Sequence, residues 1–272
     1  MGISKRLEEA RKAYQSGDKT AAAKAHDARR IAMATEEHAG AGSEYIGSMI
    51  YGGLDGIITT FAVVSGVAGA QLDSSIILIL GLANLLGDGF SMATGAYLSS
   101  KSEHELYERE RQREAWEVEE FPEGEAQELY ELYVKQGYPE DDARALLAIK
   151  TRDKERWVDA MMVEELGLMK SDLSPVREGV VTFISFVVAG VIPLLFYLLN
   201  LFFRFDLGEQ SNFFLAIVLS GLALFGLGAS KVFITQRSPI RGGLEMLIVG
   251  GLAAAVAYAV GALLKGLTGV SM

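Results

Sequence analysis

Three short spacings in one stretch of the chain bring carboxylates and thioethers into step: Glu114-x-x-Glu117, Glu125-x-x-Glu128 and Met161-Met162-x-x-Glu165. Side chains three or four residues apart share one face of a helix. Three such faces folded together surround one space with four to five carboxylates and one or two thioethers. A Glu-x-x-Glu pair alone is common on solvated helices. Solvation does not explain a methionine pair beside glutamate, whereas a divalent metal does. Carboxylate oxygens suit Mg²⁺, Ca²⁺ and Mn²⁺, and a thioether shifts the preference toward Fe²⁺ and its neighbours.

A second set of acids lies in apolar surroundings. Asp55 sits in Gly52-Gly53-Leu54-Asp55-Gly56, and Asp88 sits in Gly87-Asp88-Gly89 with Met92 one turn later. An ionised carboxylate at bilayer depth costs at least about 2.5 kcal/mol unless it is paired, hydrated or protonated, so intramembrane acids mark ion paths by default. The plain alternative is an acid hydrogen-bonded to a neighbouring hydroxyl, and for Met92 ordinary packing. Small residues around Asp55 form a Gly-x-x-x-Gly packing element, which turns the carboxylate toward a helix seam. His26 and His38 read as solvent-facing, and His104 as polar surface. Glu103, Glu105, Glu108 and Glu110 alternate with Arg109, Arg111 and Arg113 as a solvated face, and Trp116 and Trp157 read as core.

The elements that must position these residues follow from charge and hydropathy. Of 35 acids and 25 bases among 272 residues, 21 acids and 11 bases fall within 101–175, so the whole net charge of −10 lies there. Such a field attracts cations and argues against nucleic acid as a partner. With no cysteine, disulfides and thiolate metal sites are excluded. Five apolar runs, 45–70, 74–99, 179–201, 212–234 and 244–264, each approach the roughly 20 residues that cross a bilayer core. Pro193 is expected to kink the third. The fold class is therefore all-α: an integral membrane protein with five transmembrane helices and a helical domain inserted between the second and third.

The domains are a polar helical arm (1–43), spans one and two (44–100), the acidic insert (101–175), spans three to five (176–267) and a tail (268–272). In the arm, Ser4–Tyr14 and Lys19–Thr35 read as helices around the Ser16-Gly17-Asp18 turn. Met1–Arg11 lacks an apolar core, so no cleavable signal peptide is expected. The second span should run unbroken to Glu120, where Phe121-Pro122 stops it. Further helices should span Glu123–Gln136, start at Pro139 with acids in the first turn, and run from Asp153 through the methionine pair to Gly167. Lys231, Arg237 and Arg241 flank the loop between spans four and five, which places that loop, the N-terminus and the insert in the cytosol.

The sequence resembles the vacuolar iron transporter family. The matching residues are Gly53-Leu-Asp-Gly-Ile-Ile-Thr-Thr-Phe61, Asp88-Gly-Phe-Ser-Met-Ala-Thr-Gly-Ala-Tyr-Leu-Ser-Ser-Lys-Ser-Glu103 and the insert's Glu and Met spacings. The likeness covers 44–267 and leaves the arm largely outside. It implies a homodimer of five-span subunits that moves Fe²⁺ out of the cytosol in exchange for protons; the ligand set itself leaves Mn²⁺ and Zn²⁺ open as the ion. It further implies that Glu114, Glu117, Glu125, Glu128, Met161 and Glu165 are cytosolic metal ligands, with Met162 adjacent. Asp55 and Met92 become translocation ligands that face their counterparts across the dimer, and Glu44 becomes an acid at the cytosolic mouth. Asp88 departs from the longer acid expected of some members, so its role as a direct ligand stays open. The membrane is a prokaryotic plasma membrane or a vacuolar one, and the protein is not an enzyme.

Competing readings are a membrane-anchored, ferroxidase-like iron-oxidising or storage protein, a metal sensor on a passive anchor, and a Mn²⁺ transporter. A di-iron bundle wants Glu-x-x-His pairs, and the sequence has none. A passive anchor has no need of Asp55 and Asp88.

Overall fold

A computed structural model describes residues 5–27, 45–203, 208–230, 232 and 238–268, and among them every regular element is helical. Glu44, His38, Arg204, Lys231 and Arg237 lie outside the described residues. The chain divides into two compact units, Thr94–Arg177 and the remainder.

In the larger unit, α1 (Lys5–Ser16) and α2 (Lys19–Ala25) form a hairpin. Gly17 takes φ +68°, and the Asp18 carboxylate caps α2 by accepting from the Thr20 and Ala21 amides. Of the helix expected over Lys19–Thr35, the first part forms and closes at Ala25, where the His26 amide bonds the Ala22 and Ala23 carbonyls; residues 28–35 lie outside the described residues.

Among the described residues, five helices are long and apolar enough to cross a membrane. They begin with α3 (Ile46–Gly69) and the first half of α4 (Ser74–Glu120). The third is α8 (Pro175–Gly190) continued by α9 (Leu195–Phe203), and the last two are α10 (Glu209–Ser230) and α11 (Pro239–Thr268). Pro193 does more than kink the third span. Lacking an amide hydrogen, it breaks the α-helical ladder, and Ile192–Leu194 form a 3₁₀ turn between α8 and α9.

Small residues set the close crossings. A Cβ on Gly52 would lie 2.8 Å from the Thr182 carbonyl oxygen, and one on Gly56 would collide with the Phe186 carbonyl. The Gly-x-x-x-Gly element thus seats α3 on α8 backbone to backbone. Gly228 and Gly242 abut in the same way where α10 crosses α11. The outward faces carry Leu244, Ile248, Leu252, Val256 and Leu263 on α11 and Phe214, Val218 and Leu222 on α10, all exposed. Apolar side chains at this density on an outer face suit lipid.

The smaller unit encloses the acidic stretch. As the sequence predicts, α4 runs unbroken to Glu120, and Pro122 opens α5 (Pro122–Lys135) at the first helical position. Helix α6 (Glu140–Lys150) starts with three acids, and α7 (Lys154–Ala160) is capped by Asp153 accepting from the Arg156 amide. The last helix departs from expectation at the methionines. Met161–Glu165 form a π-turn, with the Leu166 amide bonded to the Met161 carbonyl at 3.1 Å. Gly167, at φ +66°, then lets the Leu168 amide bond the Met162 carbonyl at 2.8 Å. Leu129, Tyr133, Trp157, Val158 and both methionines form this unit's apolar core. Trp116, expected in that core, is exposed and stacks edge-on against Phe121. It stands two residues from both Glu114 and Val118, about 200° around the helix from the face they bury.

Candidate metal centre

Five of the glutamates singled out by spacing converge. Glu114 and Glu117 come from α4, Glu125 and Glu128 from α5, and Glu165 from the π-turn. One oxygen from each of Glu114, Glu117 and Glu125 lies within 4.8 Å of the others, and the same holds for Glu125, Glu128 and Glu165. Oxygens on opposite sides of a cation bonded at about 2.1–2.5 Å are about 4–5 Å apart, so each triad has the span of a first coordination sphere. Glu125 belongs to both. His104 belongs to neither.

Burial separates two of these glutamates from a solvated face, whereas Glu117 is half-buried and Glu128 and Glu165 are exposed. Glu114 is 1% exposed and Glu125 is 6% exposed. Glu114 Oε2 and Glu125 Oε2 are both sequestered without a hydrogen-bond donor. A buried unpartnered carboxylate oxygen costs on the order of 1–3 kcal/mol or more, and a cation is the ligand that such oxygens accept. Burial pushes Glu114 up to about 7, against the pull of Arg113, with Glu165, Glu117 and Glu128 adding to the rise. Burial also pushes Glu125 up to about 7, reinforced first by Glu114. Glu165 is raised by burial and by Glu128. Carboxyls gathered in this way hold protons near neutrality and exchange them for a dication.

Met161 and Met162 are fully buried in the apolar core of this unit, in the same π-turn that carries Glu165. The π-turn that holds them is the local departure from helix often found at functional sites. Arg113 was read from sequence as part of a solvated face. It is exposed, as that reading has it, and it also donates to Glu114 Oε1 and Glu117 Oε2, each at 2.6 Å. Its spacing three residues after Glu110 and four before Glu117 is the signal that could have found it.

Within the membrane unit, Asp55 on α3 is half-buried beside the Gly52/Gly56 crossing, and Asp88 and Met92 on α4 are also half-buried. The carboxyls of Asp55 and Asp88 are within electrostatic range of one another. At the start of α8, Glu178 accepts from the Ser48 hydroxyl at 3.2 Å, an acid that the sequence reading did not single out.

Five apolar spans among the described residues define a multi-span helical membrane protein, and its smaller unit gathers a set of carboxylates. The profile of the VIT family matches residues 46–262, and the chain belongs to that family. It is 39% identical to a vacuolar iron transporter of Toxoplasma gondii over 275 residues, covering 98% of this chain and 91% of the relative. The Plasmodium falciparum vacuolar iron transporter is 35% identical over 268 residues, covering 97% and 98%. Vacuolar iron transporter 1 of Arabidopsis thaliana is 35% identical over 225 residues, covering 82% and 87%. These relatives are named as transporters, in keeping with the non-enzymatic reading.

Proposed function

We propose that the protein carries Fe²⁺ across a membrane, out of the cytosol, in exchange for protons. The observation that carries this reading is the pair of glutamate triads sharing Glu125, with two sequestered oxygens that have no donor. On this reading Glu114, Glu117, Glu125, Glu128 and Glu165, with a Met161 or Met162 thioether, collect the dication on the cytosolic side. The ion then passes by Glu44 to Asp55 and Met92, with Asp88 supplying negative charge nearby. Two copies of the chain form a homodimer in which Asp55 and Met92 face their counterparts. Mn²⁺ and Zn²⁺ fit the same oxygens, and the thioether favours Fe²⁺ over Mn²⁺.

Exchange follows from competition. A carboxylate cluster holds either protons or a dication well, because like charges in a low dielectric raise one another's pKa. Protons arriving from the acidic side displace the metal, and cytosolic metal displaces the protons. The vacuolar iron transporter relatives support iron as cargo and a vacuole-like acidic compartment as destination. In proteoliposomes with an acidic lumen, wild type should accumulate Fe²⁺ faster as the imposed pH gradient steepens. Asp55→Ala should abolish that flux without loss of binding at the glutamates. Flux indifferent to the gradient would remove proton exchange from the scheme, and normal flux by Asp55→Ala would remove the membrane acid.

A further inference from the structure

Arg113 stands among the glutamates as a cation already in residence. Its Nη2 donates to Glu114 Oε1 and its Nη1 to Glu117 Oε2, both at 2.6 Å, while its Nε donates to Glu110 Oε2 at 2.9 Å. Glu110 belongs to neither triad and is itself held by Arg109 at 2.8 Å. The two ends of the guanidinium therefore face different partners, one end the candidate ligands and the other an acid outside them. Glu114 is almost wholly buried, yet the Arg113 side chain is 44% exposed, so it has solvent to move into. The second oxygen of Glu114 and one of Glu125 face no donor, so one guanidinium leaves the site under-neutralised.

We propose that Arg113 is the resident counter-cation of the metal-free centre, displaced from Glu114 and Glu117 by an arriving dication and retained by Glu110. This rests on the reading that the glutamates bind the cargo. Without a cation, carboxylates this close repel one another. The guanidinium fork fits two carboxylates at once and keeps them gathered. A dication needs the same oxygens and is repelled by the guanidinium, so the two compete. Release takes only a rotation of a long side chain, because the Nε contact with Glu110 can persist. The Arg113 side of these pairs is 44% exposed and partly screened by solvent, so a divalent ion that engages several glutamates displaces it and a monovalent ion does not. Arg113 thus sets the threshold for loading, and Glu110 governs it as the parking partner.

The test is Mn²⁺ titration by calorimetry of the full chain in detergent at pH 8. Arg113→Gln should bind Mn²⁺ about tenfold more tightly than wild type, and Arg113→Lys should fall between them because an ammonium cannot fork. Glu110→Gln should weaken binding several-fold in the wild-type background and change it less than about twofold beside Arg113→Gln, since with no guanidinium to park the acid loses its effect. Unchanged or weaker binding by folded Arg113→Gln overturns the proposal, as does an equal Glu110→Gln effect in both backgrounds. If Arg113→Gln does not fold, Arg113→Lys decides by the same criterion. Wild type that binds no Mn²⁺ sinks the metal-centre reading itself, whereas wild-type binding with an unaltered Arg113→Gln sinks only this inference.

Discussion

Proton release on metal binding is the most exacting consequence of the raised carboxyls. Glu114 and Glu125 each sit near 7. Two sites of that pKa together hold about 1.8 protons at pH 6 and about 0.2 at pH 8. A dication that takes both carboxylates must expel those protons, so its affinity should rise about 100-fold, or about 2.7 kcal/mol, from pH 6 to pH 8. Mn²⁺ avoids oxidation during the measurement. Calorimetry in two buffers of different protonation enthalpy counts the protons directly, expected to fall from nearly two at pH 6 to nearly none at pH 8. Glu125→Gln removes one titrating member, so it should bind more weakly throughout and release about half as many protons at pH 6. A pH dependence under about threefold, or equal heats in both buffers, would refute the claim that these buried carboxyls exchange protons for the ion.

Four further outcomes follow. With metal chelated, folding stability should be greatest at mildly acidic pH and decline as pH rises from about 4.5 through 7, because these carboxyls bind protons more tightly folded than unfolded; thermal melts across pH 5–8 read this, and a rise with pH would contradict it. Met161→Leu conserves volume and should cost less than about 1.5 kcal/mol of stability, yet a thioether ligand predicts a several-fold loss of Fe²⁺ affinity with little change for Mn²⁺; equal effects on both metals would deny that role. Met161→Ala empties a fully buried position and should cost about 2–5 kcal/mol in a melt. Gly56→Val drives a side chain into the Phe186 carbonyl and should cost at least about 2 kcal/mol, seen as loss of monodisperse protein in size-exclusion chromatography.

Much of this was legible because its signals are local. Proline and glycine punctuate the insert, so Pro122, Gly137 and Gly167 end helices where the sequence indicates, the two glycines at φ +99° and +66°. The Glu-x-x-Glu spacings fix which carboxylates share a face, and folding α5 back on α4 brings the faces together. The π-turn at Met161 was not legible, because an α-turn and a π-turn differ by one hydrogen-bond partner chosen by packing rather than by local preference. Trp116 misled because a large aromatic suggests burial, while its angular position two residues from Glu114 and Val118 faces it outward. Arg113 was assigned to the surface because a run of alternating charge reads as solvated. It is at the surface, and its pairing with the almost fully buried Glu114 depends on tertiary packing that the charge run does not encode.

The central claim is that one space within Thr94–Arg177 holds the cargo. The direct measurement is anomalous diffraction at the manganese edge from crystals of the full chain soaked in Mn²⁺, with and without Glu125→Gln. Peaks are expected in the spaces bounded by Glu114, Glu117 and Glu125 and by Glu125, Glu128 and Glu165, both diminished in the variant because Glu125 is common to the two triads. Ordered Mn²⁺ elsewhere in the unit with these carboxylates bare would contradict it.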